Sequence, residues 1–101
     1  HPLVAASYNN MGEIRRHQND PTGALAVVEQ ALAIEAIEGT RTELVSRSLA
    51  RDAHRMLGQL EQARMHIERL LELPEELYPP YMTREGLAAE LEQIDRLLPV
   101  R

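Results

Sequence analysis

An all-α domain built from helical hairpins is the fold this sequence predicts, on three observations. Apolar residues recur at helical spacing in five segments, each bounded by capping or breaking residues. No segment of strand length alternates apolar and polar residues. The apolar set is mostly Leu and Ala, with no Phe, Trp or Cys and only three Tyr. Such residues suit helices that approach closely, whereas strands favour β-branched and aromatic side chains. With 101 residues, 44% of them hydrophobic, the chain has material for one modest core.

The first helix is expected from about Leu3 to Gln18. The second begins at Asp20-Pro21, where Asp is a favoured N-cap and Pro lacks an N–H that would have no partner anyway. It is expected to run to about Glu38, with Gly39 as the left-handed stop residue. Thr40-Arg41-Thr42-Glu43 reads as a capping box that starts the third helix, which extends to Leu57 and ends at Gly58. The fourth helix covers about Leu60 to Leu73 and stops at Pro74. Three of the six prolines fall between Pro74 and Met82, which reads as a loop. Thr83 caps a fifth helix that ends before Pro99. Its apolar residues Leu87, Leu91, Ile94, Leu97 and Leu98 share one stripe.

The helices pair, and the pairs resemble each other. The segment Asn19-Asp20-Pro21-Thr22-Gly23-Ala24 aligns with Gly58-Gln59-Leu60-Glu61-Gln62-Ala63, placing equivalent alanines 39 residues apart. The first pair reads Tyr8-Asn9-Asn10-Met11-Gly12, then Ala24, Val28 and Ala31. The small residues Gly12, Ala24 and Ala31 would let two antiparallel helices approach, with Tyr8, Met11 and Ile14 filling the space around them. This pattern resembles the tetratricopeptide repeat (TPR) family, whose period is 34. The second pair therefore carries about five extra residues in its preceding turn. It keeps Ala63, Ile67 and Leu70 at the matching spacing, but Arg47, Arg51 and His54 replace the aromatic, the glycine and the second aromatic. Its first helix retains an apolar stripe of Val45, Leu49, Ala50, Ala53, Met56 and Leu57. The resemblance implies an α-α superhelix of about five helices: repeat one over 5–38, repeat two over 40–75, and a closing helix over 83–98. The chain starts at His1-Pro2 without Met, so a piece of a larger protein is expected.

Composition excludes several functions. A formal net charge of −5 argues against general nucleic-acid binding, where affinity comes from neutralising phosphates. No apolar run nears the ~20 residues needed to span a bilayer, and no leader is visible, so neither a membrane nor a secretory setting is expected, and the cytoplasm is. No Cys nucleophile, Gly-rich phosphate loop or nucleophile elbow exists, and no two of the four histidines are spaced i,i+4 as a helical zinc site requires. An enzyme is not expected, nor a cofactor or metal. His54 reads as a packed structural histidine. Tyr78-Pro79-Pro80-Tyr81 has the wrong spacing for a PxxP ligand.

The resemblance implies that the first helix of each pair lines a concave groove that binds a protein or peptide segment. By matching, the groove residues are Asn9, Glu13, Arg16 and His17 from the first pair, and Ser48, Asp52 and Arg55 from the second. The family's binders of chaperone C-terminal tails carry Lys and Asn at positions matching Asn9 and Glu13; here the acidic Glu13 and Asp52 exclude that clamp. Arg47, Arg51 and Arg55 recur every four residues and form one row along the third helix, which could hold an acidic segment by bidentate contacts. A solvated face paired with Glu43 and Glu61 is the plainer reading of that row. The function expected is therefore a protein- or peptide-interaction module, a scaffold rather than a catalyst, with homo-oligomerisation open. The alternative is a ligand-sensing or dimerising helical domain of a bacterial-type signalling or transcription regulator, marked by a large polar-lined cavity between helices.

Overall fold

The computed structural model describes residues 1–99, the Pro2 side chain excepted. The fold is all-α. Five helices follow in order, α1 (Pro2–His17), α2 (Pro21–Leu32), α3 (Arg41–Met56), α4 (Leu60–Glu72) and α5 (Arg84–Leu97), with short 3-10 turns at Glu35–Ile37 and Glu75–Leu77. Each helix packs on the next, and α1 also packs on α3. The result is a helical-hairpin array, as the sequence predicts.

The aligned segments of the two hairpins fold into the same turn. After α1, the Asp20 N–H donates to the Arg15 carbonyl (2.9 Å) and the Asn19 N–H to that of Arg16 (3.0 Å). After α3, Gln59 donates to His54 (2.8 Å) and Gly58 to Arg55 (3.0 Å). Both are Schellman closures around a left-handed residue, Asn19 at φ 57° and Gly58 at φ 72°. The internal repeat is thus a repeated way of ending a helix and starting the next.

The second helix ends at Leu32, not near Glu38. Ile34 is extended and the chain turns once through Glu35–Ile37. The reason lies in packing. In an unbroken helix Ile37 would lie about 240° round from Ala31. The break returns Ile37 to the interior, where it joins Ala5 and Ala31. Gly39 still supplies a left-handed φ of 75°, but between this turn and α3. The capping box also differs. The Glu43 N–H donates to Thr40 Oγ1 (3.4 Å), while the Glu43 carboxylate accepts from the Gly39 N–H (2.8 Å), one residue further back.

The core falls into three clusters of unequal size. Ala5, Ala31 and Ile37 form the smallest, beneath the start of α1. Leu25, Val28, Leu49, Ala50 and Ala53 join α2 to α3. The largest gathers Leu44, Ala63, Ile67, Leu70, Leu73, Met82, Leu87 and Ile94 from α3 to α5, with Leu91 and Leu98 packed against it. The fifth helix therefore covers the fourth, as its stripe predicts, except that Leu97 faces solvent. Gly12 and Ala24 are buried at the α1–α2 contact. Met11 and Ile14 do not fill space beside them; they are exposed, as are Val45 and Met56 on α3 and Leu57 just after it. Among the described residues no helix is long and apolar enough to cross a membrane.

Polar side chains tie the layers where alanines leave shallow surfaces. Glu43, 3% exposed, accepts from Arg47 Nε (3.1 Å) and, in bidentate fashion, from Arg69 on α4 (2.8 and 2.9 Å). The Arg69 hydrogen bonds, with those of Gly39 and Arg47, outweigh burial and hold the Glu43 carboxyl down at about 2. Beside this pair the rings of His54 and His66 stack at 5.4 Å between α3 and α4. Arg47 Nη1 lies 3.1 Å from His66 Nδ1; since a guanidinium can only donate, that nitrogen is the acceptor and the ring is neutral. Burial, then the charges of Arg47 and His54, push His66 down to about 4.

Candidate interaction cleft

One face shared by α1 and α3 carries a chain of alternating charges. Glu13 pairs with Arg16. Arg16 Nη1 lies 3.5 Å from Asp52 Oδ2, and Asp52 Oδ1 lies 3.0 Å from Arg51 Nε. Arg51 Nη1 is 3.5 Å from Glu90 Oε1, and Arg55 Nη1 is 2.6 Å from Glu90 Oε2. Six side chains from α1, α3 and α5 thus form one sequence of opposite charges. The Glu13 hydrogen bond raises the Arg16 pKa against the opposing effect of burial, keeping the guanidinium charged. Each pair is partly exposed and individually weak; together they orient the side chains along the face.

A cleft of about 260 Å³ opens over this chain. Its α1 wall is Glu13 and Arg16, and its α3 wall is Arg41, Leu44, Val45, Ser48, Leu49, Arg51 and Asp52. Pro79 and Tyr81 close one side. The Pro74–Met82 segment is held in place to do this. The Tyr78 hydroxyl donates to the Leu70 carbonyl (2.7 Å), and Arg84 donates to the carbonyls of Leu71 (2.7 Å) and Leu73 (3.2 Å). Met82 is anchored in the large core cluster, whereas Tyr81 is 85% exposed above the cleft.

Of the nine residues singled out from the sequence, five meet here: Glu13, Arg16, Ser48, Arg51 and Asp52. Four do not. Asn9, 5% exposed, lies outside this cleft, in a neighbouring depression that shares Arg41 and Val45 with it, and is tied into the α1–α3 contact: its amide donates to the Thr42 carbonyl (3.2 Å) and its carbonyl accepts from the Ser46 hydroxyl (2.7 Å). His17 lies at the edge, its side chain 73% exposed and 3.1 Å from Glu13. Arg47 turns to α4, where Glu43 and His66 hold it. Arg55 lies beyond the cleft against Glu90. The arginine row is therefore a single row on α3 that is divided among neighbours: Arg47 meets α4, Arg51 meets both the cleft and α5, and Arg55 meets α5. It is not a free cationic strip.

Sequence reasoning missed Arg41, Val45 as a groove residue, Pro79 and Tyr81. Only Arg41 left a local signal, as a basic residue in a first helical turn, where the helix dipole disfavours it. The described residues contain no group of three or more His, Cys, Asp or Glu side chains placed to hold a metal ion. Comparison with protein-family models, curated proteins and solved structures finds no match to this chain.

Proposed function

We propose that this chain is a divergent tetratricopeptide-like interaction module that binds a peptide segment of a partner protein in the cleft between α1 and α3. The observation that carries this reading is the cleft itself: charged groups held in fixed positions by one another, set beside the apolar Leu44, Val45, Leu49 and Tyr81. Fixed charges next to apolar surface select a partner's register, because misplaced like charges are penalised. The size of the cleft favours this reading over a small-molecule sensor. About 260 Å³ lies below the usual ~300–1,000 Å³ of small-molecule sites, and suits one or two side chains of an extended chain.

A photo-crosslinking residue at Val45, tested in a lysate of the source cells, should capture a partner that the same residue at Gln93 on α5 does not. Filling the cleft with Ser48→Tyr should abolish the capture while the helical circular dichroism stays unchanged. Capture from position 93 alone would move the binding surface to α5.

A further inference from the structure

The cleft has a surplus of hydrogen-bond donors. Its two carboxylates, Glu13 and Asp52, are each already shared between two cationic or potentially cationic groups: Arg16 and His17 for the first, Arg16 and Arg51 for the second. Arg41 is different. Among the ten described arginines, nine pair with a carboxylate, and Arg41 on the cleft rim has no such partner. Two further groups of the same cleft are left over. Arg16 Nε and Ser48 Oγ are buried atoms without a hydrogen-bond partner. The first can only donate and the second can donate. An unpaired buried donor costs free energy that an incoming acceptor would recover. With Glu90 shared between Arg51 and Arg55, the four guanidiniums of Arg16, Arg41, Arg51 and Arg55 face the three carboxylates of Glu13, Asp52 and Glu90, which leaves room for one more negative charge.

We infer that the cleft takes the side-chain carboxylate of an acidic residue in an extended peptide, received by Arg41 with the free donors of Arg16 and Ser48, with a neighbouring aliphatic side chain laid on Val45 and Tyr81. This rests on reading the cleft as a peptide site. The single surplus of charge fits one carboxylate; a phosphorylated side chain brings about two charges. The aliphatic neighbour is required because the whole chain is at −5 and repels an acidic partner at long range. Attraction then comes from short-range contact, so binding should weaken only slightly with added salt.

The test uses the full chain as bait in a display selection. Randomised segments of about ten residues, joined at both ends to a carrier, present side chains without a free terminus. The expected winners carry Asp or Glu at one fixed position next to an aliphatic residue. A synthetic, end-blocked winner should bind about tenfold more weakly when that acid becomes its amide, and by a similar factor to Arg41→Gln. Ser48→Ala should weaken it less, and Arg96→Gln, on α5 outside the cleft, should leave it unchanged. Winners without an acidic position, or equal affinity for Arg41→Gln, would overturn the carboxylate inference while leaving the peptide site standing. Winners obtained only from a parallel library with free C-termini would overturn it in favour of end capture. No winners from either library would remove the peptide reading and the inference together.

Discussion

Gly12 offers a perturbation whose sign depends on its neighbour. A methyl group there would meet Val28 Cγ2 at 2.6 Å, with Leu49 Cδ1 and Val27 Cγ2 at 3.5 and 3.6 Å. Val28 is fully buried, and a β-branched side chain inside a helix has essentially one rotamer, so the clash cannot be relieved by a simple rotation. Gly12→Ala thus combines two opposing effects. Helix propensity contributes about 1 kcal/mol of stabilisation, and overpacking costs about 1–3 kcal/mol. The net expectation is a loss of about 1 kcal/mol, or roughly 4–8 °C in Tm for a chain of this size. In a Val28→Ala background the obstructing methyl is gone, and the same substitution should stabilise by about 1 kcal/mol. Urea unfolding of the four proteins of this double-mutant cycle measures the coupling, expected near 2 kcal/mol. If Gly12→Ala stabilises both backgrounds equally, the close α1–α2 approach is wrong.

Two other perturbations probe the α3–α4 layer and the closing helix. The pH profile of stability should fall in two steps. His66 has its folded pKa lowered from 6.5 to about 4, so the unfolded chain takes up the proton first and stability declines as pH falls through that window. Glu43, lowered from 4.5 to about 2, contributes stability above 4.5 that is lost as pH falls further. Denaturant melts from pH 7 to 2 should show His66→Gln abolishing only the upper step; a profile flat from pH 7 to 5 in the parent would contradict the neutral buried ring. Removing residues 83–101 takes Leu87 and Ile94 from the largest core cluster. The shortened chain should lose stability and self-associate in sedimentation, whereas an equally stable monomer would show that α5 does not close the array.

What could be read from the sequence was what local chemistry determines. The hairpin turns were legible because Asn19-Asp20 and Gly58-Gln59 carry their own closures, and the stripe of α5 because Leu87, Leu91 and Ile94 obey helical spacing. The end of α2 was hidden because it depends on Ile37 finding Ala5, thirty-two positions earlier in the chain. The arginine row was correctly placed on α3, but the residue covering its far half, Glu90, lies 35 positions from Arg55. Asn9 was placed in the groove only by matching to the family that the first pair resembles. Ser46 and Thr42, on another helix, turn it into an internal bond. Tyr81 was discounted with its prolines, since only the bonds of Tyr78 and Arg84 to the end of α4 bring that segment over the cleft.

The unequal division of the core has a thermodynamic consequence for recognition. The start of α1 rests on Ala5, Ala31 and Ile37, whereas α4 and α5 share the largest apolar cluster. The first turns of α1 should therefore open readily, and amide protons there should exchange with solvent faster than those of α4. The α1 wall of the cleft, Glu13 and Arg16, belongs to the opposite end of that same helix. A segment bridging Arg16 to Arg41 would clamp that wall, and some of its binding energy would go into quieting α1 rather than into affinity. A substitution that tightens α1 on its neighbours without touching the cleft would then improve binding from a distance, by removing motion before the partner arrives.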